Sequence, residues 1–524
     1  MREQVKRLAC ALGICAILPF TATLEAQEQP KPGANTVFVA NQIIPMDGGW
    51  REVPAVAGTI LSAGSLDGLQ TSLEGNPYST DPVDTEPVFG GLKIEDETDS
   101  HLAAASQEPS DPDSSSPSAI PEPPPPPVRS YAGPWDKRRN LTGNWGGVRD
   151  SLAAHGVFFS ASLTQFYQGL VAGSGDNTFK YGGKAKLTTL VDAGKLGLWK
   201  GFGVVVSGEY NFGRTASYAG HTLLPTNTAM TFPSLNENGG DLMTVAVAQR
   251  LGERLAVLFG KFNAFDVYAA GNEFHGGGGL DKFQNIVFEG TPSGTVPVCL
   301  FGGIAVMKTR LAQVTLMFYD PEDQQNHTGL EHPFREGVTF YGSMLFARTF
   351  HGLSSKHTFS ASTSTEKGIN LADLPDISLP PGSIGDLSQK TGRWYVGYSF
   401  EQAIWRSKED KKKAWGFFGQ TSMSDGNPNP QRWLVMGGVG GTSPIRGRGW
   451  DKFGAAGFCY GLSRHLINGL APTVIVGDEC GGEVFYNFAV TPWFLVSADL
   501  QVIEPANRAY PVAVLFGLRA QIRF

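Results

Sequence analysis

The sequence has no apolar run long enough to cross a bilayer as a helix. Its longest apolar stretches are short or broken by Gly, Ser, Asp or Arg, whereas a transmembrane helix needs about 20 apolar residues. Charged residues are scarce, at 17% of 524 residues, and no basic stripe that would suit nucleic acid is present. We therefore expect neither membrane-spanning helices nor nucleic-acid binding.

Motifs of catalytic and metal sites are missing as well. GxSxG, HExxH and GxxxxGK[ST] do not occur, and the histidines fall mainly in predicted loops without a convincing partner. Only three of the five cysteines follow residue 26, and they show no CxxC or Cys/His metal spacing. We expect no enzyme, no cofactor and no metal site. Cys459 and Cys480 flank one predicted loop and are candidates for a disulfide, which the sequence leaves open.

The N-terminus has the composition of a sorting signal. A basic start, the apolar run 8–20 and a polar stretch with small residues predict a cleaved secretory signal over residues 1–26. A lipid anchor at Cys15 is the weaker alternative, because Ile14 is a poor residue before a modified cysteine. The chain is therefore expected to leave the cytoplasm.

Residues 27–130 differ in composition from the rest of the chain. They contain 4 Lys+Arg against 16 Asp+Glu, together with a serine tract and the proline block 123–127. Such sequence buries too little apolar surface to offset its ordering entropy. We expect a disordered acidic extension or spacer here.

Order is expected to begin near residue 131. Residues 140–156 favour a short helix, in which Trp145, Val148 and Leu152 share one face and Gly156 follows the end. This gives an N-terminal helical segment over residues 131–156.

From Val157 onward the apolar period changes to two. In the last strand, apolar residues from Val512 to Phe524 alternate with Gly517, Arg519, Gln521 and Arg523. Alternation over strands of about 10 residues, with short turns at one end and long loops at the other, is typical of a transmembrane barrel. A soluble β-sandwich also alternates, but its strands are usually shorter. The sequence predicts an all-β, transmembrane antiparallel β-barrel over residues 157–524, with sixteen strands.

The predicted strands cover 157–168, 180–191, 202–212, 241–250, 254–263, 298–308, 311–319, 338–349, 355–363, 392–403, 414–421, 431–440, 453–462, 482–490, 493–503 and 511–524.

Several segments in order resemble the carbohydrate-selective porins of the OprB type. They cover most of residues 140–524, whereas residues 27–130 are outside the family pattern. The segments are Leu141–Val157, Phe259–Asn263 with Asp266, Asp425–Pro430, Gly447–Asp451, Glu483–Phe488, Thr491–Trp493, Asp499–Gln501 and Gly517–Arg519. The resemblance implies a sixteen-stranded outer-membrane pore for passive diffusion of mono- or oligosaccharides.

A sugar pore needs polar groups at its narrowest part. The long segment 264–297 is a candidate for an inward loop, although its run Gly276–Gly279 is equally compatible with a flexible surface loop. Lumen or constriction candidates are Glu209, Glu273, His275, Asp281, Lys282, Asp499, Gln501, Arg519 and Arg523.

The expected partners are outer-membrane lipid, small sugars in transit and, through the terminal Phe524, the outer-membrane assembly machinery. Contact of residues 27–130 with the cell wall is a further expectation. Two alternatives to the pore are an outer-membrane adhesin or structural barrel that anchors this extension, and a soluble secreted sandwich that binds sugars.

Overall fold

The computed structural model describes residues 131–233, 240–290, 295–374, 388–408, 410, 412–472 and 474–524. The expected signal 1–26 and extension 27–130 lie outside the described residues. Eighteen strands occur in the described part, in chain order: β1 (Val157–Ala172), β2 (Lys180–Asp192), β3 (Phe202–Gly213), β4 (Gly240–Leu251), β5 (Leu255–Asn263), β6 (Cys299–Lys308), β7 (Gln313–Tyr319), β8 (Thr339–Phe350), β9 (Leu353–Ser364), β10 (Gly368–Ile369), β11 (Gln389–Lys390), β12 (Arg393–Arg406), β13 (Ala414–Ser424), β14 (Gln431–Thr442), β15 (Lys452–Leu462), β16 (Glu479–Thr491), β17 (Phe494–Glu504) and β18 (Ala513–Arg523).

Sixteen of these strands form one closed antiparallel barrel. Strands β10 and β11 form a separate two-stranded sheet, so β9 pairs directly with β12, and β1 closes the barrel against β18. The seam is long, running from the pair Ser162 and Arg523 to the pair Ala172 and Val514. The predicted sixteen-stranded barrel is confirmed, with strand ends displaced by a few residues.

The alternation in sequence separates an inner from an outer barrel face. On β18, Leu515 and Arg519 face the lumen and are 0% and 1% exposed, whereas Leu518 between them is 44% exposed on the outside. Successive side chains of a strand point to opposite faces, so one pattern supplies both an apolar exterior and a polar interior.

The connections differ in length at the two barrel ends. At one end the chain turns within 252–254, 309–312, 351–352 and 492–493, and at the other end it forms the loops 214–239, 264–298, 320–338 and 365–392. This asymmetry is usual for outer-membrane barrels, in which the short turns face the periplasm. The long loops are therefore at the extracellular end.

Five α-helices lie in the described residues, and no helix there has the length and hydropathy of a membrane span. The helices are α1 (Val148–Ala154), α2 (Thr228–Thr231), α3 (Ala264–Gly271), α4 (Ile286–Glu289) and α5 (Arg464–Leu470).

The predicted helix before the barrel is confirmed as α1, but the residues that it buries are not those of the predicted apolar face. Arg149 and Ala153 are buried, whereas Trp145 and Val148 are exposed. The guanidinium group of Arg149 donates to the carbonyl oxygens of Phe159 at 2.8 Å and Phe524 at 3.2 Å. These bonds satisfy polar groups at the barrel seam, which explains why an arginine is buried there.

Candidate functional site

The segment between β5 and β6 enters the barrel lumen. Asn263, the last residue of β5, accepts a hydrogen bond from the backbone N–H of Phe265 at 2.9 Å and caps α3. Asn285 caps α4 in the same way through the N–H of Val287. We call the described residues 264–290 and 295–298 the inward loop.

Aromatic packing holds the inward loop against one side of the lumen wall. Phe283 lies 5.6 Å from Phe418 and 4.9 Å from Phe485 between ring centroids, and Phe288 lies 5.8 Å from Phe458. All five rings are buried in one apolar cluster inside the barrel. The lumen along β13–β16 is therefore filled, and open space remains elsewhere.

Three glutamates of the lumen wall accept hydrogen bonds from loop backbone. Glu401 on β12 accepts from the N–H groups of Glu273 and Phe274 at 2.8–3.0 Å. Glu483 on β16 accepts from those of Gln284 and Asn285.

Glu479, also on β16, accepts from the N–H groups of Leu223 and Leu224 at 2.6 and 2.9 Å, which fixes the loop after β3. Hydrogen bonds to a carboxylate are about twice as strong as neutral ones. The wall carboxylates thus anchor both inward-lying segments.

The glycine run 276–279 lies inside the barrel and has positive φ at all four residues, between 66° and 111°. Side-chain-bearing residues rarely adopt this conformation. The carbonyl oxygen of Gly279 accepts from the Arg519 guanidinium at 2.7 Å, and that of Lys282 accepts from it at 2.9 Å. The glycines therefore let the chain turn tightly against the wall at β18.

The charged candidates of the inward loop all have protein partners. Glu273 pairs with Arg406 at 2.8 Å, and the Lys282 ammonium donates to the His275 carbonyl at 3.0 Å. Asp281 pairs with Lys452 and, at 2.9 Å, with Arg523. Burial by itself raises the pKa of Asp281, but these cations outweigh burial and hold the pKa well below its usual range.

The candidates on the barrel strands also face the lumen and bond to protein. Glu209 lies 3.4 Å from the Lys184 ammonium and 3.2 Å from that of Lys186. Gln501 donates to Asp499 at 3.0 Å and to the Thr226 carbonyl at 2.7 Å. Arg519 donates to the loop, as described above.

His275 is enclosed between the inward loop and the wall. Its ring stacks on Phe418 at 4.4 Å, Nδ1 lies 3.2 Å from Glu401 Oε1, and Nε2 lies 3.1 Å from Tyr268 Oη. Burial lowers the pKa of His275 below its ordinary value, and Glu401 opposes this shift. Tyr268 in turn donates to Gln420 Oε1 at 2.9 Å.

A cavity of about 180 Å³ lies on the other side of the inward loop, and Tyr268 and Gln420 are on its surface. Its wall is formed by lumen-facing residues of β6–β9, β12 and β13. The tyrosines and hydroxyl residues among them are Tyr319, Tyr341, Tyr395, Thr315, Ser343, Thr358, Ser360 and Ser399.

The strand register arranges these residues in rows across the wall. One row places Thr315, Ser343 and Ser360 opposite one another on β7, β8 and β9. The row on its extracellular side contains Tyr341 and Tyr395, both paired with Ser362. In the cavity wall, a row with two tyrosines thus lies next to a row of hydroxyl residues.

The sequence candidates did not include the cavity tyrosines and hydroxyl residues. Their alternation with outward apolar residues in predicted strands 311–319, 338–349, 355–363 and 392–403 marks them as lumen-facing. That signal does not tell which side of the lumen the inward loop fills.

Cys459 and Cys480 lie opposite each other on β15 and β16 and form a disulfide on the outer face. Cys299 is a buried thiol. Within the described residues, no group of three His, Cys, Asp or Glu side chains is placed to hold a metal ion.

Comparison with known proteins gives a family match. A family model described as carbohydrate-selective porin, OprB family, matches residues 176–524 of this chain. No curated protein matches it.

Among solved structures, the chain is similar to the high-pH structure of Pseudomonas putida OprB, with a TM-score of 0.64 and 19% identity over 76% of this chain and 100% of that one. The low-pH structure gives a TM-score of 0.45 and 16% identity with the same coverage. The outer membrane channel DcaP of Acinetobacter baumannii gives 0.43 and 11% identity, covering 70% of this chain and 97% of that one. At these identities the similarity to P. putida OprB is one of fold.

Proposed function

This chain belongs to the OprB family of carbohydrate-selective porins, and from that premise we propose the route that sugars take through its lumen. It is an outer-membrane β-barrel pore and not an enzyme. We propose that sugars pass between the inward loop and the wall formed by β6–β9, β12 and β13. The observation that carries this proposal is the cavity of about 180 Å³ beside the anchored inward loop.

The wall of the cavity has the chemistry that a sugar requires. Hydroxyl groups such as those of Ser343 and Ser360 exchange hydrogen bonds with sugar hydroxyls, so that a solute loses water without binding too tightly to leave. Aromatic residues such as Tyr341 and Tyr395 present flat apolar surface to the sugar ring.

The charged lumen residues act as anchors of the constriction in this proposal. Glu273, Asp281 and Lys282 hold the inward loop through Arg406, Lys452 and backbone groups, and Arg519 holds its glycine run. Their effect on sugars is therefore exerted through the position of the loop.

Replacement of Thr315 by Trp tests the route. Thr315 lies in a hydroxyl row of the cavity, so an indole there fills the space next to Ser343. We expect uptake of glucose into proteoliposomes to fall by roughly tenfold or more, because conduction needs open width at the constriction.

The matched control is Thr421→Trp, since Thr421 is exposed on the outer face of β13. We expect it to leave glucose uptake unchanged. Heat-modifiable gel migration verifies that both variants form barrels. A folded Thr315→Trp porin with normal uptake would show that sugars take another route.

We also propose roles for the N-terminal segments. Residues 1–26 fit an export signal, and residues 27–130 fit a spacer that contacts the cell wall, on the composition given above. Residues 131–156 stabilise the seam of the porin barrel, which comprises residues 157–524. The outer-membrane assembly machinery recognises the chain through Phe524.

A further inference from the structure

The periplasmic end of the barrel is basic. It is formed by the segment before β1 and by the turns between strands, and we call these residues the periplasmic rim. They are 131–156, 193–201, 252–254, 309–312, 351–352, 407–413, 443–451 and 492–493. The described residues of the rim contain 13 Lys+Arg against 5 Asp+Glu, which leaves a net charge of +8.

Exposed cations are spread around the whole rim, because six of its separate segments or the strand ends beside them each contribute one or more. Arg139 and Lys413, from two different segments, lie 5.1 and 4.8 Å from the ring centroid of Trp450. The exposed cations are Lys137, Lys200, Arg254, Arg310, Lys408 and Arg446, together with Arg348 at the end of β8. The fold therefore gathers cations that are far apart in sequence into a ring.

The extracellular end of the barrel has the opposite charge. Its loops contain 6 Lys+Arg against 13 Asp+Glu in sequence. These loops are 173–179, 214–239, 320–338, 365–392, 425–430, 463–478 and 505–512. An acidic partner is therefore attracted to the periplasmic end and repelled from the extracellular end.

The same chain contains an acidic partner for the rim. Residues 81–122 include 11 Asp+Glu and a single cation, Lys93, and four of the carboxylates lie within residues 95–99. This acidic stretch precedes the proline block 123–127. We call residues 81–122 the acidic stretch.

The chain enters the described structure at the rim itself. The N–H of Tyr131 donates to Asp150 Oδ1 at 2.7 Å, and the indole N–H of Trp493 donates to the Trp135 carbonyl at 2.6 Å. The acidic stretch is thus tethered beside the ring of cations, and a tether of this kind gives an effective concentration in the millimolar range.

The length of the tether allows contact with the rim. About 35 residues separate Tyr131 from the cluster 95–99, and a coil of that length spans about 30–35 Å. Sixteen strands spaced about 4.8 Å apart and tilted about 40° form a barrel roughly 30 Å across. The acidic stretch can therefore reach cations on every side of the periplasmic opening.

We propose that the acidic stretch docks on the periplasmic rim of its own chain through ionic contacts. The inference goes beyond the sugar route and does not depend on it, because the contact is with the rim and not with the lumen. Residues 27–80 are then left for the contact with the cell wall proposed above.

Energy transfer between two dyes in the full-length porin tests the docking. One dye is attached at Ser100→Cys beside the acidic cluster, and the other at Leu198→Cys in the rim, where Leu198 is 79% exposed. Of the cysteines in the described residues, Cys459 and Cys480 form the disulfide and Cys299 is buried, so the dyes attach at the introduced positions.

The expected result is a loss of transfer when salt is added. Between 0.1 and 1 M sodium chloride the Debye length falls from about 10 to about 3 Å, and we expect transfer in neutral detergent to fall roughly twofold or more. An acidic chain that does not dock repels itself and contracts when it is screened, so its transfer would rise. Unchanged or rising transfer would overturn the inference.

A second pair of dyes provides the positional control. It combines Ser100→Cys with Leu330→Cys in an extracellular loop, where Leu330 is 68% exposed. We expect low transfer at both salt concentrations. Salt-dependent loss of equal size in this pair would show that the acidic stretch does not prefer the rim.

Charge reversal in the rim removes the attraction. The rim variant has three reversals at exposed positions: Lys200→Glu, Arg254→Glu and Arg310→Glu. We expect its transfer at 0.1 M salt to fall to the level that the unmodified rim shows at 1 M. Wild-type transfer in this variant would contradict the docking.

The matched control reverses three exposed cations of the extracellular loops: Arg214→Glu, Lys367→Glu and Lys390→Glu. It changes the net charge of the protein equally and should keep wild-type transfer between residues 100 and 198. An equal loss in this control would show that net charge, and not the rim, determines the transfer. Heat-modifiable migration verifies that both variants form barrels.

The last arm separates the acidic stretch from lipid phosphates as the partner of the rim. The full-length porin is compared in vesicles of neutral phosphatidylcholine and in vesicles that also contain anionic phosphatidylglycerol. We expect equal transfer in both. Transfer that falls to the high-salt level with phosphatidylglycerol would assign the rim cations to lipid and overturn the inference.

Discussion

At the scale of single residues, the lumen carboxylates act on the protein's own backbone. Glu401 and Glu483 each accept hydrogen bonds from two loop N–H groups, and three of these four donors are bonded in buried positions. Removal of a partner from a buried polar group costs about 1–3 kcal/mol, and more when the group is charged. The position of the inward loop therefore depends on a few long-range hydrogen bonds.

His275 gives this arrangement a pH dependence. It is packed against Glu401 from β12 and influenced by Lys356 from β9 and Lys282 from its own loop. Burial lowers the pKa of His275 in the folded pore below 6.5, the ordinary pKa of histidine. The stability that the neutral ring contributes is therefore complete above pH 6.5 and is lost as the pH falls through the lowered pKa. We expect His275→Asn to lose less thermal stability than the wild type between pH 7.5 and 5.

The measurement is the midpoint of thermal unfolding in detergent at the two pH values, together with single-channel conductance. His465→Asn is the control, since His465 lies exposed on α5, and it should keep the wild-type pH dependence. Identical pH dependence of the wild type and His275→Asn would show that His275 does not titrate as described.

At the scale of elements, the inward loop is a folded unit with its own capped helices. Asn263 and Asn285 start α3 and α4, the aromatic side chains supply its core, and the glycine run lets the chain reverse between them. The barrel wall supplies the other half of that core. The loop is therefore positioned by packing and not only by its two ends.

Gly277→Ala tests the backbone requirement of this element. Gly277 has φ of 111°, where a residue with a Cβ is strained by about 1–3 kcal/mol. We expect the variant to unfold at a lower temperature and to show larger conductance fluctuations, because the loop leaves its position more often.

Gly342→Ala is the matched control for that variant. Gly342 lies on the outer face of β8, and an added Cβ would make only an ordinary contact with Leu316. It should behave as the wild type in both measurements. If the Gly277→Ala pore has the conductance fluctuations and the unfolding temperature of the wild type, the loop tolerates a residue with a Cβ at this position.

At the scale of the whole molecule, the described residues from 131 onward close the barrel. Strand β1 pairs with β18 over the full seam, and the N–H of Phe524 donates to the Ala161 carbonyl at 2.9 Å. Asn140 and Arg149 add bonds to the Phe524 carbonyl from the preceding segment. The described elements of the pore therefore lie between residues 131 and 524.

Deletion of residues 27–130 tests this division of the chain. With the export signal 1–26 retained, we expect the shortened chain to reach the outer membrane, to show heat-modifiable migration and to take up glucose at the wild-type rate. A control deletion of residues 131–156 should lower barrel stability, because it removes the bonds of Arg149 at the seam. Loss of uptake in the first deletion would assign these residues a part in the pore.

The sequence by itself determined the barrel. Alternation with period two is a local property, because neighbouring side chains of a strand point to opposite faces. It was enough to predict sixteen strands, their inner and outer faces and the long loop 264–297. The helix α1 was also predicted, but its buried Arg149 was not, since the carbonyl groups that make its burial favourable belong to distant residues such as Phe524.

Only the tertiary structure decided how the lumen is divided. Glu401 meets the backbone of Glu273, 128 residues earlier in the chain, and Arg519 meets Gly279, 240 residues earlier. Such pairs follow from the barrel register and from the side on which the loop's aromatic core docks, and neither is encoded in a local pattern. For this reason the sequence identified the lumen-facing charges, whereas the structure showed that several of them hold the inward loop and that tyrosines and hydroxyl residues line the cavity beside it.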